Sequence, residues 1–435
     1  MQKINEQLNR LPGEVLERLR FIGNVADELN YPAYVVGGFV RDLLLGVDNF
    51  DLDIVIEGSG IKFAEELSRR LSAHLTRHRM FGTATVVTPD KIKIDIATAR
   101  RETYEHPGSL PAVTFGTIRD DLSRRDFSIN AMAFSISKGN FGKLIDFFQG
   151  RPDLKNKTLR ILHDLSFIDD PTRILRIIRF TERYNFKISP HTLRLIREAV
   201  ESKGLDRINK QRLRDELILL LKEDNPVKCI RRLDKLCGFS FLHPAIRLSA
   251  ARFILFRRID RTMKWFEAGF PHKRKIDLWL IYLIILLEGL EMRQIQEVID
   301  NFAFSRGEKK RIISFKSEVD RAILRLKEKV SPSRIYRLLE PLSYEVILLI
   351  LVKEADPIVR NNIRDFLRHY NETRIFIGGA DLKKLGIKPG PHFKEILKQA
   401  LYAKLDKQLK TKEEELLYLR KKIFNPLARI PRARP

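Results

Sequence analysis

Asp51 and Asp53 stand at i and i+2 in the run DLDIVI. In an extended strand that spacing puts both carboxylates on one face and Leu52 and Ile54 on the other, and paired carboxylates can hold Mg²⁺. Just upstream, YVVGGFVRDLLLG places Gly37-Gly38 after the β-formers Tyr34 to Val36, where missing side chains let a phosphate approach the backbone. Phe39 to Leu45 can then open a helix whose N-terminal amides face an anion, with Arg41 on its first turn. Metal-holding carboxylates beside a phosphate-cradling turn are the minimum apparatus for nucleotidyl transfer. Downstream, Asp95 alternates with Ile94 and Ile96 and either adds a third carboxylate or faces solvent. Arg124, Arg125, Asp126 and Asn130 cluster in DDLSRRDFSINAMAF, ahead of an apolar helical run, and could present guanidiniums and side-chain oxygens to a nucleotide. In FIDDPTRILRIIR, Asp169-Asp170 occupy N-cap positions, Pro171 the first turn, and Arg173, Arg176 and Arg179 recur every three residues opposite Ile174, Ile177 and Ile178. Such a helix can read a base edge and hold phosphate charge.

The elements that must position these residues follow from periodicity. Residues 1–30 read as an amphipathic helix punctuated at Leu11-Pro12-Gly13, and Ile61 to Ala73 as a second one. Thr83 to Thr88 and Lys91 to Ile96 read as strands around Pro89-Asp90. Arg101 to Thr117 is a long connection without periodicity, a length that usually signals a functional loop. From Leu154 onward helical periodicity takes over, including Arg207 to Leu221 and Asp224 to Gly238. His163-Asp164 has no histidines at metal-ligand spacing and reads as ordinary loop.

With 435 residues the chain implies two to four domains. Residues 1–150 hold 19 Lys and Arg against 20 Asp and Glu, leaving 62 against 36 for residues 151–435. The basic surplus of 26 therefore lies outside the stretch that carries the carboxylates, and suits a polyanion such as RNA. Two cysteines without a CxxC pair argue against a disulfide scaffold or structural zinc and for a cytoplasmic protein. The opening MQKINEQLNR lacks a signal-peptide pattern, and the longest apolar run, Leu278 to Leu287, is too short for a membrane helix and reads as a buried one.

Taken together, GGFVRDLLLG, DLDIVI, DIATARRETYEHPGSLP, RRDFSINAMA and DDPTRILRIIRF resemble, in order, the motifs of the class II tRNA nucleotidyltransferase and bacterial poly(A) polymerase family, over roughly residues 30–245. The resemblance implies an α+β fold: a polymerase-β-like nucleotidyltransferase head with a mixed sheet and helices, then all-α neck, body and tail, at 1–150, 151–245, 246–370 and 371–435. It implies that Gly37, Gly38 and Arg41 lie against the triphosphate of ATP, or of CTP as well in a full CCA-adding enzyme, and that Asp51 and Asp53, with Asp95 beside them, bind two Mg²⁺ ions. Arg124 or Arg125, Asp126 and Asn130 would surround sugar and phosphates. Asp170 and Arg173 would pair with the base, assisted by Arg176 and Arg179, while Asp169 shortens the family's usual Glu and leaves its role open. An intact loop from Arg101 to Thr117 and the segment RIIRFTERYNFKI favour addition of A to a tRNA ending in CC, over complete CCA addition or poly(A) synthesis. That choice implies a separate CC-adding enzyme, and a chain matching the C-terminal part of a longer protein. Late in the chain, Pro389-Gly390-Pro391 precedes an apolar helix, so Lys388, Gly390 and Lys394 could grip an RNA phosphate, and the basic tail ARIPRARP could brush RNA.

Overall fold

The computed structural model describes residues 4–49, 51–78, 82–103, 112–273 and 275–424. The chain divides into two compact units, Met1–Phe241 and Leu242–Pro435.

In the first unit, α1 (Asn5–Leu8) and α2 (Gly13–Glu28) precede β1 (Ala33–Val36), α3 (Gly38–Leu45), β2 (Leu52–Ile56), α4 (Gly60–Arg70), β3 (His74–His78), β4 (Thr83–Val87) and β5 (Lys93–Thr98). A ribbon of β6 (Arg100–Thr103) and β7 (Ala112–Phe115) follows, then α5 (Ile118–Ser123), β8 (Ala133–Ser135) and β9 (Leu144–Ile145). Seven of these strands form one sheet in the order β3-β4-β5-β2-β1-β8-β9, with β2 and β5 parallel and the other pairs antiparallel. β-Branched and aliphatic residues alternate through β2 and β5, so Ile54, Ile56, Ile94 and Ile96 turn to the face covered by α2 and α4. Close approach there requires glycine: a Cβ on Gly23 of α2 would lie 1.9 Å from the Ile136 carbonyl oxygen. The other face carries Val36 and Val55, packed with Ile118, Leu122, Ala131 and Ala133, and continues to Asp53.

Helices then extend the unit: α6 (Gly150–Lys155), α7 (Ser166–Asp169), α8 (Arg173–Tyr184), α9 (Pro190–Glu201), α10 (Lys210–Leu221) and α11 (Pro226–Leu236). The two-residue strands β10 (Thr158–Leu159) and β11 (Lys187–Ile188) pair in parallel among them. α8 packs on α10 and α11 through Ile174, Ile177, Ile178, Leu213, Leu217, Leu220, Ile230 and Leu233, all buried.

Several elements depart from the sequence expectation. The first helical stretch is broken into α1 and α2 because Pro12 takes φ −52°, ψ 139°. The apolar helical run expected beside Arg124 to Asn130 is not formed: after α5 come one 3₁₀ turn at Ser128–Asn130 and β8, since Ala133–Ser135 pair with β1. Asp169 and Asp170 do not head α8. Asp169 closes α7, Asp170 is extended at φ −142°, ψ 87°, and Thr172 is the N-cap. The connection Arg101 to Thr117 starts and ends as the β6–β7 ribbon, while its residues 104–111, like the basic tail 428–435, lie outside the described residues.

The second unit is helical: α12 (Ala250–Gly269), α13 (Leu278–Leu287), α14 (Met292–Asn301), α15 (Arg306–Leu326), α16 (Pro332–Leu339), α17 (Tyr344–Lys353), α18 (Pro357–Arg368), α19 (Gly379–Lys384), α20 (His392–Leu405) and α21 (Lys412–Phe424). α13 begins and ends where its apolar run does, and α12, α15 and α17 enclose it. Among the described residues no helix is long and apolar enough to cross a membrane. Close to the C-terminus, Ile377, Leu382, Ile396, Ala400 and Leu419 form a separate apolar cluster. Beside it the fully buried Glu415 accepts from the Phe376 and Ile377 amides (2.8 and 3.1 Å) and from Lys404 Nζ (2.9 Å). Glu415→Ala removes three donors' acceptor and strands a lysine, so it should destabilise this cluster by about 3 kcal/mol in chemical denaturation; a loss under about 0.5 kcal/mol would mean the carboxylate is dispensable.

Candidate active site

The site grows from the end of β1. Gly37 leaves the strand at φ +70°, a left-handed backbone, and a Cβ there would sit 2.7 Å from Arg125 Nη1 and 3.9 Å from Asp53 Oδ2. The left-handed backbone favours glycine, and an added Cβ would also push the Arg125 guanidinium aside. Gly37 caps α3, so the first amides of that helix open beside Arg125 and Asp53.

Asp53 pairs in register with Asp95 across the parallel β2–β5 ladder, and Asp95 with Thr85 across β5–β4. Registered residues share a face, so the carboxylates stand side by side in a cleft of about 350 Å³ whose lining also includes His78, Thr83 and Arg125. Asp95 accepts from Thr85 Oγ1 at 2.7 Å and is paired with Lys93. Asp51 lies exposed just before β2, and neither its carboxylate nor that of Asp53 accepts a hydrogen bond among the described residues. Burial raises the Asp53 pKa; Arg125 opposes that shift, whereas Asp95 and Asp51 add to it. Carboxylates that repel one another and lack donors are a donor set suited to a hard divalent cation, and Asp51 and Asp53 fit Mg²⁺ on that ground.

Around this pair, buried acids fix the arginines. Asp121, with no exposed surface, accepts from Arg124 Nη2 (2.6 Å) and Arg125 Nη2 (3.0 Å). Burial works against its charge, yet the two guanidiniums outweigh burial and lower its pKa. Arg124 also reaches Glu102 at 3.2 Å. Arg41, 5% exposed, donates to both oxygens of Asp42 (2.8 Å each) and to Asn130 Oδ1 (2.7 Å), lies over the Tyr184 ring, and brings Nη2 beside Gly38. Asn49 donates to Asp42 at 2.7 Å and accepts from the Asp51 amide at 2.9 Å, tying the metal-side strand to Arg41.

From Asn130 the network runs into the helices. Asn130 Nδ2 donates to Asp126 Oδ1 (2.9 Å), Arg176 to Asp126 Oδ2 (2.8 Å) and to Glu216 (2.9 Å), and Arg179 to Glu216 (2.7 Å) and Glu223 (3.1 Å). Burial disfavours both charges of the Asp126–Arg176 pair, but their attraction lowers the acid's pKa and raises the base's. Arg173 is turned inward, donating to Ser166 Oγ (2.6 Å) and to the Arg124 carbonyl (2.8 Å). Asp170 accepts from Thr172 Oγ1 (2.6 Å) and Arg212 Nη2 (2.8 Å). Asp169 lies 3.9 Å from His163, whose pKa is lowered by burial and then by Arg173.

The structure thus gathers Gly37, Gly38, Arg41, Asp51, Asp53, Asp95 and Arg125 at the sheet, joins Asn130, Asp126, Arg176 and Arg179 in one chain of hydrogen bonds and ion pairs, and links Arg124 to Arg173. Lys388, Gly390 and Lys394 belong to the second unit, where α20 starts just after Pro391 and both lysines are exposed. Sequence reading missed Asp42, Asn49, Asp121, Glu102, Tyr184, Arg212 and Glu216. Asp42, adjoining Arg41, Asn49, two residues before Asp51, and Asp121, three and four residues before Arg124 and Arg125, offered a local signal.

Because ionised Asp53 is destabilised in the fold, Asp53→Asn in metal-free buffer should melt at the same or a higher temperature than the parent at pH 7. A folded pKa above the unfolded one means the charged side chain weakens the fold at high pH. The gap therefore closes as pH falls below the ordinary aspartate range. Lower stability of the variant at pH 7 would contradict this electrostatic reading.

Comparison with known proteins agrees with this geometry. Residues 33–160 match the family described as "Poly A polymerase head domain", and residues 185–248 the one described as "Probable RNA and SrmB- binding site of polymerase A". The A-adding tRNA nucleotidyltransferase of Geobacter sulfurreducens is 38% identical over 94% of this chain, which spans 47%, about half, of that relative. An A-adding tRNA nucleotidyltransferase of Halalkalibacterium halodurans is 32% identical over 95% of this chain and 94% of its own length. Among solved structures, the Thermotoga maritima CCA-adding enzyme complexed with tRNA has a TM-score of 0.75 at 36% identity, covering 97% of this chain and 99% of that one. Motifs, sheet and end-to-end similarity converge, and the chain belongs to the class II tRNA nucleotidyltransferase and bacterial poly(A) polymerase family.

Proposed function

We propose that the chain transfers AMP from ATP to the 3′ end of a tRNA already ending in CC, completing CCA and releasing pyrophosphate. The observation that carries this reading is Asp53, whose carboxylate has no donor among the described residues, standing in register with Asp95 beside the Gly37 turn and Arg125. The A-adding names of the relatives support the choice of nucleotide. CCA-adding neighbours support a second reading, complete CCA addition from CTP and ATP.

In this mechanism Asp51 and Asp53, with Asp95 beside them, would hold two Mg²⁺ ions, which when bound neutralise triphosphate charge and favour ionisation of the attacking hydroxyl. The chain's own groups do the rest. Gly37, Gly38 and the opening amides of α3 let the triphosphate approach the backbone, and Arg125 and Arg41 bring positive charge to it. Arg124, Asp126 and Asn130 bound the sugar. Asp170 and Arg173 would pair with the base by exchanging the Arg212 and Ser166 contacts they make in the free chain, Asp169 adjoining, while Arg176 and Arg179 fix α8 through Glu216. Residues 1–150 act as catalytic head, 151–245 as neck, 246–370 as body and 371–435 as tail, the helical modules holding tRNA through their basic surplus and through Lys388, Gly390 and Lys394. We place this activity in the cytoplasm, beside a separate CC-adding enzyme.

Asp51→Ala should lower ATP incorporation at least a thousandfold, roughly the loss expected when a metal ligand is removed, while the tRNA dissociation constant changes less than about threefold. Retained turnover in that variant would refute the two-carboxylate site.

A further inference from the structure

The second unit contains a pocket of about 200 Å³ that the reaction above does not use, bounded by Arg261, Thr262 and Trp265 of α12, Leu351 of α17, and Arg360 and Arg364 of α18. Its polar lining is almost wholly guanidinium. Arg261 and Trp265 are one turn apart on α12, as are Arg360 and Arg364 on α18, so with Thr262 the first helix lines the space with three side chains and the second with two. Arg360 donates to the Leu351 carbonyl (3.2 Å) and Arg364 to Asn361 Oδ1 (3.2 Å), both uncharged acceptors.

Among the described residues none of the three arginines is in an ion pair. That contrasts with Arg311, Lys327, Lys353 and Lys404 of the same unit, each joined to a carboxylate. Three unneutralised guanidiniums facing one cavity repel each other and leave a strong demand for an anion. Trp265, half-buried and fixed against Phe270 with ring centroids 5.4 Å apart, supplies a planar apolar wall, and buried Thr262 adds a hydroxyl. The volume exceeds the roughly 150 Å³ that admits one six-membered ring.

We infer that this pocket binds one nucleotide unit of an RNA chain, its phosphodiester on Arg261, Arg360 and Arg364 and its base or ribose against Trp265. The inference rests on the reading of tRNA as substrate. A phosphodiester is preferred to a carboxylate because several guanidiniums can share its oxygens while its attached ring meets the indole. It assigns to α12 and α18 a discrete contact, distinct from diffuse surface charge.

The test is a fluorescence and filter-binding titration of the full chain with tRNA across a salt series. Trp265→Leu should raise the tRNA Kd about tenfold and abolish the tRNA-induced quenching of indole emission. Arg360→Gln with Arg364→Gln should raise Kd at least as much and reduce the slope of log K against log salt by about one. The exposed pair Arg293→Gln with Arg321→Gln serves as the control for equal charge loss and should change Kd less than about threefold. Parent-like affinity and slope in both pocket variants, with the parent binding tRNA, would overturn the pocket and leave the tRNA reading standing. A parent that does not bind tRNA would remove both. Equal quenching by free ATP would replace the RNA contact with a mononucleotide site and so overturn the inference.

Discussion

One polar chain holds the first unit's functional parts in register. It starts at the Asp51 amide and passes through Asn49, Asp42, Arg41, Asn130, Asp126, Arg176, Glu216, Arg179 and Glu223 to Arg183. Most of these groups are buried or half-buried, where an unpaired charge costs several kcal/mol, so each acid fixes the position of the next base. The sheet that carries the carboxylates and the helix that carries the arginines are thereby locked together by directional bonds rather than by apolar contact alone. Removing a middle member would leave charges without partners on both sides, so the sheet and helix groups depend on it jointly.

Against that rigid network the carboxylate cleft is left open. Among the described residues neither the Asp53 nor the Asp51 carboxylate has a donor, burial and the neighbouring acids raise the Asp53 pKa, and Arg125 and then Lys93 oppose that shift. The fold leaves negative charge beside a helix N-terminus that attracts anions, and on the proposed reading cations and a triphosphate arriving together would reconcile the two demands. Stored repulsion of this kind is common where binding energy must be drawn from the ligand.

The sequence announced what is local. DLDIVI alternates because one face of β2 is core and the other is site, Gly37 is required by a positive φ, and α13 ends where its apolar run ends. Less was readable where a partner lies far along the chain. Glu216 and Glu223 meet arginines about 40 residues earlier, Arg212 meets Asp170, and nothing in their spacing says so. The apolar run near Phe134 read as helical, and pairing with β1 made Ala133–Ser135 a strand instead. β3, polar and exposed at the sheet edge, offered no hydrophobic pattern to read.

The central claim, that this site adds a single A to a CC end, is tested most directly by incubating the protein with labelled ATP or labelled CTP on tRNAs ending at the discriminator base, at C and at CC. ATP incorporation confined to the CC-ended tRNA and stopping after one nucleotide is the predicted result. CTP incorporation on the shorter ends, or an unlimited A ladder on unrelated RNA, would contradict it.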